Sequence, residues 1–344
     1  MGGSKNVFAA VKSYSKRGKL LKNTDFQTLA ESRDLDELMT RIKNTSYGES
    51  ISDVQKPFTS QGIENALRGH LADIHYSIAK TAGESKVLDA YFSKFLISNL
   101  KQILKGKVLG KSQEEIEIHI NFRAEELTKQ RDVVVKALVA GDLEEAVASL
   151  NQAEFGEEIT KAAALYEDKK NIQIFDTYFD KILFTRLVKA LKSGGIDAGK
   201  IIGMDIDFYN ILSVIRGKFW GLDDAQIQDL IIVQCPVAKD LLTRMISAST
   251  IKDAFNELSN TKYKNLIPSV ENELDAISEF ERAFELAIYQ ASLNSFTKMF
   301  SFATTIGITK LTAFEVRNLA AIAYAVEQKI PTETTMSKLI LMTE

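Results

Sequence analysis

Six positions recur in this chain at intervals of 108 residues, and that pattern limits what it can fold into more than any single residue does. Asp34, Leu35, Leu38, Ile42, Tyr47 and Ile51 match Asp142, Leu143, Ala146, Leu150, Phe155 and Ile159, which match Thr250, Ile251, Ala254, Leu258, Tyr263 and Ile267. In each copy the apolar stripe runs i, i+3, i+7, so its members share one face of a 3.6-residue helix and must bury it against another element. Asp34, Asp142 and Thr250 stand just before the stripe, with Glu37, Glu145 and Asp253 three residues later. That spacing is a capping box, with Asp replacing Ser or Thr in the first two copies and a weaker form in the third. The expectation is one helical unit written three times, over 1–116, 117–225 and 226–344, in one compact body. Such a repeat favours an assembly part over an enzyme, because three similar units shape a body around an axis, whereas a catalytic site generally needs one asymmetric cleft.

A second recurring signature is polar. Asn99, Asn210 and Asn318 lie inside apolar runs, LISNL at 96–100, DFYNI at 207–211 and EVRNL at 315–319. Asparagine is a poor mid-helix residue because its amide competes for backbone hydrogen bonds, so its return at equivalent places predicts a bonding partner for each side chain. An internal structural role is preferred, since buried amides in helical packings are satisfied within the fold; a subunit contact is the other reading. With 4 prolines in 344 residues and no sustained alternation of apolar and polar residues, the chain reads as all-α.

The remaining signals mostly exclude. A net charge of −3, from 43 basic and 46 acidic residues, gives no footprint for nucleic acid. The single cysteine, Cys235, cannot form an internal disulfide, which fits a reducing cytosol; followed by Pro236 and preceded by an apolar run, it reads as a packed thiol. Apolar stretches fall short of the roughly 20 residues a membrane span requires, and the start lacks a signal segment, so a soluble chain with no span of its own is expected. The first six residues resemble a myristoylation start, but Asn6 stands where Ser or Thr is needed. Two segments imitate phosphate loops. Gly194 to Lys200 has the glycine and lysine spacing, but it follows a helical run and Ile201 replaces the hydroxyl. Gly106 to Ser112 has the hydroxyl, but its glycines are too close together. His70 and His75 are off a common helical face, and His119 is remote, so no zinc pair is expected. Adjacent acids such as Glu114 and Glu115, Glu125 and Glu126, and Glu157 and Glu158 read as solvated helix surface. No catalytic constellation and no cofactor or metal site is expected.

Three stretches carry a likeness to a known family: YSKRGKLL at 14–21, DFYNILSVIRGK at 207–218, and EVRNLAAI at 315–322 with Pro331 beyond. Through them, and over nearly its whole length, the chain resembles the C subunits of the rotary A-type and V-type ATPases, the family that includes the d subunits of eukaryotic V-ATPases. The middle stretch, with Asp207, Asn210, Arg216 and Lys218, is the most specific. Its first-unit counterpart keeps Asn99 and Lys107 but has Leu96 for the acid and Lys105 for the arginine, so a shared ionic role is expected to be lost there. The third unit has Glu315 and Asn318, with Tyr324 and Val326 in place of the basic pair.

The resemblance implies a three-fold pseudosymmetric, funnel-shaped body of helical repeats, cytoplasmic and peripheral to the membrane. It implies a non-catalytic central-stalk subunit of an ATP synthase or ATPase, with the central shaft subunits and the membrane rotor ring of proteolipids as partners. Such a part transmits torque for proton or sodium transport, and close helix packing supplies the stiffness that this needs. For Asp207, Arg216 and Lys218, an internal ionic network is preferred over charge shown to a partner. Phe219 and Trp220, the only tryptophan, are candidate partner contacts, with a place in the core as the other reading. Two alternatives stand for the whole chain. A generic helical scaffold or adaptor would share the repeat but not the 207–218 motif, and an all-α enzyme would need convergent acids that the sequence does not display.

Overall fold

All three expected caps begin helices. Asp34, Asp142 and Thr250, each in extended backbone, accept hydrogen bonds from the N–H groups of Glu37, Glu145 and Asp253. The return arm differs from a capping box in the first two copies. Glu37 and Glu145 accept from the N–H groups of Arg33 at 3.1 Å and Gly141 at 2.8 Å, one residue ahead of the cap. In the third, the Thr250 hydroxyl donates to Asp253 Oδ2 at 2.7 Å. Asp142→Ala is expected to cost about 1 kcal/mol, read as a lowered urea midpoint at unchanged slope.

The computed structural model describes residues 2–83, 85–151, 153, 155–192, 199–232, 239–299 and 301–341, and no strand occurs among them. In chain order, α1 (Gly2–Arg17), α2 (Asn23–Ala30) and α3 (Leu35–Lys43) precede the long α4 (Ser60–Ala82), then α5 (Lys86–Phe92) and α6 (Lys94–Val108). The short helices α7 (Gln113–Glu117), α8 (Arg123–Thr128), α9 (Arg131–Val139), α10 (Leu143–Leu150) and α11 (Gly156–Lys169) lead to the long α12 (Gln173–Lys192) and α13 (Gly199–Phe219). Finally α14 (Asp224–Leu230), α15 (Lys239–Ser247) and α16 (Ile251–Asn256) precede the long α17 (Glu273–Asn294) and α18 (Ala303–Glu327), with α19 (Thr332–Lys338) last. The fold is all-α. Cys235 and most of the segment from Gly194 to Lys200 lie outside the described residues. In the other loop-like segment, the Ser112 hydroxyl accepts from Glu115 N–H and caps α7.

The apolar cores join distant parts of the chain. Leu100, Ile103 and Leu104 of α6 pack with Leu150, Phe155, Ile159, Phe175 and Phe179. Ile211, Val214 and Ile215 of α13 pack with Leu242, Leu258, Tyr263, Phe280 and Phe284. Val316, Leu319 and Ile322 of α18 return to the start of the chain and pack with Leu38, Ile42, Tyr47, Ile51 and Ile63. The stripes that recur in sequence are therefore buried against the last long helix of the preceding stretch, and for the first stretch that helix is α18, from the third stretch. A fourth cluster gathers Ile78, Ala82 and Leu88, Leu187, Ile202 and Ile206, and Phe296 and Ile306, where the long helices turn back. The opening motif fastens here, with Tyr14 OH donating to the Phe296 carbonyl at 2.7 Å and the Arg17 guanidinium 4.8 Å from the Phe296 ring centre.

Candidate functional site

The three asparagines perform one task. Asn99 Nδ2 donates to the carbonyl of Asn121 at 2.8 Å, and its Oδ1 accepts from the same residue's N–H at 3.1 Å. Asn210 makes this pair with Ile232, at 3.1 and 2.7 Å, and Asn318 makes it with Ile340, at 2.7 and 3.1 Å. Each partner lies 22 residues on. A primary amide is the one uncharged side chain that can donate and accept in one plane and so satisfy both backbone groups of a passing residue. The bonding partners expected from the sequence exist, and they are internal.

Asp207, Arg216 and Lys218 each find partners within the chain, in three separate places: the turn at Lys262 and Tyr263, α17, and the end of α15. Asp207 is fully buried, accepts from Tyr263 OH at 2.5 Å and meets Lys262 Nζ at 3.0 Å. Glu315 repeats the arrangement, accepting from Tyr47 OH at 2.5 Å and from the Leu21 N–H of the opening motif. In the remaining copy Phe155 and Leu96 share an apolar cluster, so the phenol and the acid are absent together. Lys218 Nζ donates to the carbonyls of Ile246 and Ala248, at 2.5 and 2.6 Å, where its charge offsets the carbonyl end of α15. Lys107 does the same for Leu138 and Ala140 at the end of α9. Where Val326 takes the lysine's place, Thr332 Oγ1 donates to the Ala30 carbonyl at 3.2 Å. Arg216 pairs with Glu281 at 2.7 Å, and Lys105 pairs with Asp176 at 2.7 Å. The first unit has therefore kept this ionic contact, against the expectation of its loss. Gly217 lies between these groups because a Cβ there would stand 2.7 Å from Ile227 Cγ1.

The long helices surround a cavity of about 490 Å³, lined from α5, α6, α12, α13, α17 and α18. Its acids are held by bases on neighbouring helices: Arg216 with Glu281, Arg317 Nη2 with Glu285 Oε2 at 2.8 Å, Lys101 with Asp180 at 2.6 Å, and Lys310 with Asp205 at 2.6 Å. Burial works against the charge of Lys310, but the Asp205 carboxylate outweighs it and raises the lysine's pKa. Trp220 lines the cavity and is 37% exposed, while its neighbour Phe219 is 42% exposed, which places neither in the core.

Asp205 and Lys310 were not singled out by sequence reasoning, although each is a charge in a stretch with few other charges. Glu125 departs from its reading as solvated surface. It is 1% exposed, neither carboxylate oxygen has a hydrogen-bond partner, and burial pushes its pKa up to about 7. His75 is buried with Nε2 at 2.9 Å from the Thr309 carbonyl, and His70 stands edge-on to Tyr47.

A family model described as the ATP synthase (C/AC39) subunit matches residues 9–338, a span that contains all three motif stretches. The chain belongs to this family. Members of the C/AC39 family are structural, non-catalytic subunits of the ATP synthase. The A-type ATP synthase C subunit of Methanocaldococcus jannaschii is 26% identical over 347 residues, which cover 95% of this chain and 84% of the relative. That of Pyrococcus abyssi is 23% identical over 326 residues, covering 92% and 85%. The clasping asparagines and the ion pairs around the cavity are thus the internal framework of an ATP synthase C/AC39 subunit.

Proposed function

We propose that this protein is the central-stalk (rotor) subunit of an A-type or V-type ATP synthase or ATPase. In this reading a three-fold pseudosymmetric funnel receives the foot of the central shaft, stands on the membrane rotor ring of proteolipid subunits, and carries torque between them for proton or sodium transport. The observation that carries the reading is the central cavity, which is lined by helices from all three stretches and shares Tyr91 and Tyr209 with the apolar cluster where the long helices turn back. A rod-like partner fits a space on a common axis. The matching asparagine clasps and helix caps support the pseudosymmetry and the division at 1–116, 117–225 and 226–344. The body is then cytoplasmic and peripheral to the membrane, held there through the ring; no helix among the described residues is long and apolar enough to cross a membrane. Cores shared between units give the stiffness the role needs, since deformation under load would waste the transmitted energy.

Affinity copurification of the tagged protein from gently solubilised membranes of its own source tests this reading. Stoichiometric recovery of ring proteolipid with shaft subunits is the expected result; recovery of neither would sink the reading and leave a generic scaffold in its place. Trp220→Ala should remove the shaft from the recovered complex while moving the melting temperature by no more than about 2 °C, because truncating a partly exposed side chain costs little stability. A large melting shift with intact assembly would return Trp220 to the core.

A further inference from the structure

One charge in the central cavity is left over. Every acid lining it is held by a base in the pairs described above, and those pairs occupy Arg216, Lys310 and Arg317. Lys94, in the first turn of α6, also lines the cavity, yet among the described residues it has no acid within ion-pair distance. Its ammonium instead lies 4.3 Å from the ring centre of Tyr91 and 5.1 Å from that of Phe95. These faces attract a cation but do not neutralise it. Burial lowers the pKa of Lys94 well below the ordinary lysine value, and the charge of Lys310 lowers it further while Asp205 opposes. The first turn of a helix, where the backbone dipole is positive, is also an unfavourable place for a cation. A half-buried ammonium without an acid partner is costly to keep charged, and Lys94 lies in the lining of the cavity.

We propose that Lys94 is the seat for a carboxylate carried by the protein that enters the cavity: an aspartate, a glutamate or a chain-end carboxylate at the tip of the inserted rod. The inference rests on the reading above that a shaft enters here. The occupant's acid completes the pairing of the cavity's charges, and because it sits off the axis it fixes the rotational setting of the rod. A purely apolar plug would leave that setting undefined.

The test is the dissociation constant between the full-length protein and the purified central shaft subunits of the same complex, measured at low and moderate salt. Lys94→Met is expected to weaken binding about tenfold or more and Lys94→Glu further, with Lys94→Arg staying within about threefold of the native protein. The melting temperature of the free Lys94→Met protein should be equal or higher, since an unpaired, half-buried ammonium is gone. A structural lysine would give the opposite, a lower melting temperature, and that result would overturn the proposal. Binding by Lys94→Met and Lys94→Glu within twofold of native would overturn it too, while leaving the shaft-receptor reading intact. Absence of binding by the native protein would remove that reading and this inference together.

Discussion

Replacing Asn210 with leucine is expected to destabilise the protein by about 3 kcal/mol or more, because a buried N–H and a buried C=O each lose their partner, at roughly 1–3 kcal/mol apiece. Asn210 is fully buried and its partner Ile232 is 5% exposed, so water cannot replace the lost amide. Asn318→Leu should cost as much, since Ile340 is 3% exposed. Asn99→Leu should cost least, because the backbone of the partly exposed Asn121 can turn to solvent. Urea midpoints of the three variants check the order. If Asn99 proved the most costly, solvent access to the partner would not be what sets the penalty.

The second large effect depends on pH. Burial pushes the carboxyls of Glu125 and Glu315 up to about 7, from an ordinary value of 4.5. A group whose folded pKa is raised contributes stability that is fully present below its unfolded pKa and is lost as pH rises through the folded value. Glu125→Gln keeps the shape and never ionises. Its stability relative to the native protein should therefore grow by on the order of 3 kcal/mol between pH 4.5 and 8, the linkage equivalent of that shift. The half-buried His70 and the buried His75 have lowered pKa values and act in the opposite sense below 6.5, but they are common to both proteins and cancel in the difference. Glu315→Gln should behave alike, since its amide can present oxygen to Leu21 N–H and nitrogen to Tyr47 OH. Parallel stability curves for variant and native protein across this range would contradict the burial of Glu125 as a carboxylic acid.

What could be read from the chain divides by the distance over which the physics acts. The caps at Asp34, Asp142 and Thr250 were legible because cap and partner are three residues apart. The asparagines announced that they had partners, since three amides in apolar runs need them, but not that the partner lies 22 residues on. Asp207, Arg216 and Lys218 look like one network because they share a helix, and they separate because successive faces of α13 meet different neighbours. Lys105 kept an ionic contact because its acid, Asp176, lies 71 residues away on α12, beyond any local pattern. Glu125 defeats a local reading for the same reason. Adjacency to Glu126 says nothing about which side of a six-residue helix is turned inward.

The sharing of cores along the chain bears on how the protein is made. Residues 26–71 leave the ribosome well before α18, the wall against which Leu38, Ile42 and Tyr47 are buried. Until then those side chains face water or a chaperone, because a nascent chain cannot satisfy a contact with residues not yet translated. An early-made stretch is therefore completed only by a late one, and a chain cut short before Val316 leaves Leu38, Ile42 and Tyr47 without the helix that buries them.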